Sequence, residues 1–105
     1  MRLNHIKYGR KTTKIEFVDK KEAQKGRFIG IFDPQMNEIK ILDDLHGIEL
    51  LDTILHEIIH LIVVNADRKI RSEEPTVDII ATGLAKIFRQ NKHLVKFMNQ
   101  CLKNE

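Results

Sequence analysis

The chain has 105 residues, 42% of them hydrophobic and 31% charged, with a formal net charge of +3. That balance fits one globular domain, residues 1–105, and excludes a fibrous or disordered chain. A single cysteine, Cys101, rules out an intramolecular disulfide and a multi-cysteine zinc site, which points to a reducing, cytoplasmic compartment.

The opening residues, Met1 to Lys7, lack the charged-then-apolar form of a secretory leader. The longest apolar run, Ile58 to Val64, is broken by His60 and is far shorter than the roughly 20 residues that cross a bilayer, so no membrane is expected. Charge is unevenly spread. Residues 1–31 hold nine Lys/Arg and three acids, 32–66 hold one Lys and seven acids, and 67–105 hold eight Lys/Arg and five acids. The basic first third reads as a solvated face. No recognition-helix pattern accompanies it, which argues against nucleic acid. The acidic middle third suits a cation.

In chain order, a short strand is expected within Leu3 to Tyr8, and a period-two strand at Thr13, Ile15 and Phe17. Phe28 to Phe32 and Glu38 to Leu42 read as two further strands, joined by the turn-rich Asp33-Pro34-Gln35-Met36-Asn37 in hairpin fashion. Gly30 weakens its strand unless another backbone comes close. From His46 the period becomes helical, with Leu51, Ile54, Leu55, Ile58 and Ile62 on one stripe. A polar gap, Asn65 to Glu74, precedes a second helix marked by Val77, Ile80, Ala81, Leu84 and Phe88, with Ser72 as its cap and Pro75 in its first turn. Leu94, Phe97, Met98, Cys101 and Leu102 mark a third, where Cys101 is core filler. Strands followed by helices argue an α+β fold: an antiparallel or mixed sheet of three to four strands, then three helices.

The chemistry lies in "LHEIIHLI". His56 and His60 are four apart, so on a helix they differ by about 40° and stand about 6 Å apart along the axis. With Leu51 at zero, they fall near 140° and 180°, away from the core stripe. Val63 and Val64 flank that side, so a cover is expected over it. Glu57 sits about 60° from His60. That offset suits a general base acting beside a metal rather than a ligand on it. The arrangement is H-E-x-x-H. Zinc in catalytic sites takes three protein ligands and a water. Glu74 in "EEPTVD" can supply the third ligand, with Glu73 its adjacent rival. Asp78, four residues on, can accept from the free ring nitrogen of a ligand histidine. Ala81 on the same face is small enough to let the helices approach. A structural zinc is disfavoured, because closed sites usually include Cys.

"HEIIH" followed by "EPTVD" resembles the gluzincin metallopeptidases, with their H-E-x-x-H and downstream E-x-x-x-D. "EPTVDIIATGL" is similar to the E-x-x-A-N-x-F-A-x-x-L segment of phage-type ImmA/IrrE-like peptidases, with Val77, Asp78 and Ile80 in place of Ala, Asn and Phe. The likeness covers roughly residues 28–90. It implies a zincin-like domain and a zinc metalloendopeptidase acting on a peptide or protein, with His56, His60 and Glu74 as ligands, Glu57 as base and Asp78 behind the ligands. It further implies that an edge strand binds extended peptide, which gives Gly30 a substrate-binding role. Thirteen residues separate His60 from Glu74, fewer than in larger gluzincins. Tyr8, His46 and His93 are the candidates for an oxyanion donor, and His5 has no evident partner. The competing expectation is a module on such a fold that grips a peptide or nucleic acid without cutting it. Neither the substrate nor an oligomeric state is written in the pattern.

Overall fold

A computed structural model describes residues 2–66 and 73–103, with only the backbone of 73–75. Its elements run β1 (His5–Tyr8), β2 (Lys11–Val18), α1 (Lys20–Gly26), β3 (Gly30–Asp33), β4 (Glu38–Leu42), α2 (Gly47–Val64), α3 (Glu73–Gln90) and α4 (Lys92–Lys103). The strands form one mixed sheet in the order β1-β2-β4-β3. β1 and β3 are its edges, each antiparallel to its neighbour, while β2 and β4 run parallel at the centre.

The expected strands and the three long helices are present. The short helix α1 was not anticipated, and it carries the connection between β2 and β3. Its core contribution is one residue, Ala23, too little for a helical stripe. A local signal does exist: Asp19 caps the helix by accepting from the Glu22 N–H at 2.8 Å, and the spacing Asp-x-x-Glu is that of a capping box.

Alternation divides the sheet into two unlike faces. One face presents Ile6, Ile15, Ile39 and Ile41, all buried, to the long helices. The other carries Lys14, Glu16, Glu38 and Lys40 as a network of ion pairs, joined by Glu22 of α1 through a 3.0 Å contact to Lys40. α2 crosses the apolar face with Ile54, Ile58, Leu61 and Ile62 fully buried, and Ile87, Leu94, Phe97 and Cys101 complete the core from α3 and α4. Burial of a side chain of this size stabilises by about 1.5–3 kcal/mol each, which makes α2 the spine of the domain. Among the described residues no helix is long and apolar enough to cross a membrane.

Two packing expectations are corrected. The α2–α3 approach is made by Gly83, where an added Cβ would lie 2.5 Å from Ile62 Cγ2; Ala81 points outward and is exposed. α3 is therefore rotated from the expected stripe, with Val77 52% exposed and Ile87 fully buried. A residue without a side chain marks the closest approach more strongly than alanine does. Val63 and Val64 are likewise exposed, at 37% and 54%, and no described residue covers them. They lie in the last turn of α2.

Candidate metal centre

α2 sets the geometry of the site through its turn. His56 and His60 project to solvent from successive turns, with their ring centroids 4.7 Å apart in an edge-to-face arrangement. Glu57, between them in sequence, turns the other way and is buried to 4% exposure. It sits under β3, where the missing side chain of Gly30 makes room for it. A Cβ on Gly30 would lie 2.5 Å from Thr53 Cγ2 and 3.2 Å from Glu57 Oε2. Gly30 thus has a structural reason unlike the one expected: the close approach is by side chains of α2, which brings β3 down onto the glutamate.

His56 Nδ1 lies 3.0 Å from Glu57 Oε2. In the tautomer in which Nδ1 donates to the carboxylate, Nε2 keeps its lone pair. That is the tautomer that ligates a metal through Nε2. Donor atoms of His56, Glu57 and His60 all lie within 4.8 Å of one another. Two imidazoles one turn apart are two ligands that zinc accepts, and the carboxylate beside them stands where a base for a bound water would stand. Tetrahedral zinc with nitrogens at about 2.1 Å holds its ligands about 3.4 Å apart, so the exposed rings would turn inward on ligation. Side-chain exposure of 66% at His56 leaves it free to do so. The residues fit the ion.

A cavity of about 250 Å³ opens over this trio, bounded on the far side by Gly30, Phe32 and Pro34. β3 is the sheet edge here. Its register pairs Ile31 with Lys40 and Asp33 with Glu38, and the Leu42 N–H donates to Ile29 O at 2.8 Å. In an antiparallel ladder, bonded pairs alternate, so the N–H and C=O groups of Gly30 and Phe32 point outward, away from β4. Among the described residues nothing bonds to them. Thr53 and Phe32 were not singled out in the sequence, although the period-two pattern places Phe32 on the same face as Gly30.

The remaining expected site residues divide. The side chains of Glu73 and Glu74 lie outside the described residues, as do Ser72 and the Pro75 side chain. Asp78 is exposed and lines a separate cavity with Tyr8, Asn65 and Thr82, and no hydrogen bond joins it to either histidine. None of Tyr8, His46 or His93 lines the cavity over the trio. His46 caps the start of α2, about 15 Å along the axis from His56. His93 donates to the His5 carbonyl at 3.0 Å and stacks on the His5 ring with centroids 4.5 Å apart, so His5 does have a partner. Desolvation, then the neighbouring charges of His93 and Lys7, hold the His5 pKa below its ordinary value.

Comparison of the chain with protein-family models, with curated proteins and with solved structures finds no match.

Proposed function

We propose that the chain is a zinc-dependent endopeptidase of gluzincin type on a small zincin-like fold, acting in the cytoplasm. One observation carries the reading. A buried carboxylate, Glu57, lies between two exposed histidines one helical turn apart, directly beneath an unpaired strand edge. His56 and His60 would hold the ion, with Glu74 as third ligand and Asp78 behind the ligand set. Bound there, zinc lowers the pKa of a water towards neutrality and polarises a carbonyl. Glu57 accepts the proton of the attacking water and returns it to the leaving amine. Its burial keeps it from bulk solvent, and its contact with His56 fixes its direction. The outward N–H and C=O groups of Gly30 and Phe32 pair with an extended peptide and hold its scissile bond over the histidines.

Substitution of Glu57 by Gln tests the mechanism. Zinc content is expected to stay at the wild-type level while hydrolysis falls by about 10²–10⁴-fold, the usual contribution of a positioned base. Wild-type cleavage by Glu57→Gln would overturn the assignment. The free β3 edge also fits a module that grips peptide without cutting. Peptide binding by wild type that survives metal removal, with no cleavage of any peptide in a mixed library, would select that second reading.

A further inference from the structure

The cavity over the histidines does not end at Pro34. It shares Phe32, Pro34 and Val64 with a second cavity of about 360 Å³, which adds Lys11, Asn37 and Asn65. Lys11 and Asn65 in turn belong to a third, of about 370 Å³, that reaches Arg10 and Lys86. The cavities adjoin through these shared residues, and a chain laid along them, as along a channel, passes from the metal-capable trio around the end of α2 to a cluster of three cations.

These cations differ from the two lysines on the polar face of the sheet. Lys14 and Lys40 are matched by Glu16, Glu22 and Glu38. Among the described residues Arg10, Lys11 and Lys86 form no ion pair, and no carboxylate lines the second or third cavity. Lys11 is held in place rather than free: its Nζ donates to Asn65 Oδ1 at 2.9 Å, and Asn65 Nδ2 donates to Leu61 O at 2.8 Å. Asp78 lines a neighbouring cavity that shares Tyr8 and Asn65 with the third, so one carboxylate adjoins the cationic end without lining it.

We infer that this cationic end of the channel is a specificity subsite for a carboxylate of the bound peptide, either an acidic side chain or a free C-terminus. The register rests on the hydrolytic reading of the trio; the anion preference does not. Asn65 is five residues beyond His60, about 7.5 Å along the helix axis. Two residues of extended chain span about 6.6 Å. The recognised carboxylate therefore lies about two residues from the bond held over the histidines. A polyanion such as nucleic acid fits less well, because the channel leads to the buried Glu57.

Two readouts test it. Amidated hexapeptide mixtures with Glu or Gln fixed at one position at a time are digested, and a parallel set with free C-termini separates terminus from side chain. The expected result is about fivefold faster cleavage for Glu than Gln two residues from the cut, the scale of a few exposed ion pairs. That ratio should fall to about one in Lys11→Gln/Lys86→Gln and shrink with added salt. If the fivefold preference appears only in the free C-terminus set, the terminus is the recognised source. Equal cleavage of all peptides by wild type, or a ratio that the double substitution leaves intact, overturns the subsite. The second readout is binding of dye-labelled Glu and Gln peptides by fluorescence anisotropy. A Glu preference that depends on Lys11 and Lys86, without any cleavage, keeps the subsite and sinks the hydrolytic reading. Single-stranded DNA binding tighter than that of either peptide also overturns the proposal.

Discussion

The two edges of the sheet are treated in opposite ways. Along β1 and into Gly9, the His5 carbonyl and both backbone groups of Lys7 and Gly9 are taken by side chains from the α3–α4 junction. His93 bonds to His5 O, Asn91 exchanges both bonds with Lys7 at 2.9 and 2.8 Å, and Gln90 exchanges both with Gly9 at 2.9 and 3.2 Å. Three side chains thus imitate a fifth strand. Along β3 the corresponding groups of Gly30 and Phe32 meet no described residue. Unpaired edges invite association with other chains, and proteins ordinarily block them. Among the described residues the open edge lies beside two histidines and a glutamate.

The sealed edge should respond most strongly in stability. Asn91 is fully buried and also donates to Ile87 O at 2.7 Å. Asn91→Ala leaves the Lys7 groups unsatisfied, and a loss of about 2–4 kcal/mol is expected from urea unfolding, from the sum of such groups. Asn91→Asp should lose nearly as much, because a carboxylate cannot donate to Lys7 O or Ile87 O. A loss below about 1 kcal/mol for both would show that the imitation of a strand is incidental.

At the open edge the expected effect is smaller and tied to the site. Gly30→Ala drives a methyl into Thr53 and against Glu57, for a cost of about 1–3 kcal/mol. Thr53→Ser removes the clashing methyl, so the pair should recover about half of that loss, measured as a double-mutant cycle. Gly83→Ala meets Ile62 and should cost a similar amount without touching zinc affinity, which separates general packing damage from damage at the site.

The smallest effect is in pH. The His5 pKa is lowered in the fold, so between that value and the unfolded value near 6.5 the unfolded chain binds more protons. Stability from this group is complete above about 6.5 and declines as pH falls towards the folded pKa. His5→Gln should flatten that part of the stability profile. An unchanged slope between pH 5 and 7 would place the dependence elsewhere.

Much of this was legible in the residues, for reasons that differ by element. Period two marked β2, the turn-rich loop set off β3 and β4, and the helical stripe marked α2, because the strand and the helix each bury an apolar face. α1 buries only Ala23 and so left no stripe. The H-E-x-x-H spacing gave the histidine pair, since position on a helix follows from count alone. What surrounds them did not follow from count. That Glu57 lies under β3 depends on which strand takes the edge next to α2, and sheet order is a long-range property. Gly30 was noticed for its weakness in a strand, yet its reason is the volume of Thr53 and Glu57 across the interface. Gly83, in place of Ala81, is a similar case: the two lie about 200° apart on the wheel, so which one meets α2 depends on how α3 is rotated, and only packing decides that.

Zinc content tests the central claim most directly. Protein loaded with zinc and dialysed exhaustively should hold one ion per chain by atomic emission in wild type and in Glu57→Gln, and none in His56→Ala or His60→Ala. Loss of the ion in Glu74→Ala but not Glu73→Ala would complete the ligand set. Wild-type protein that emerges without zinc, or His60→Ala that keeps a full equivalent, would contradict the account.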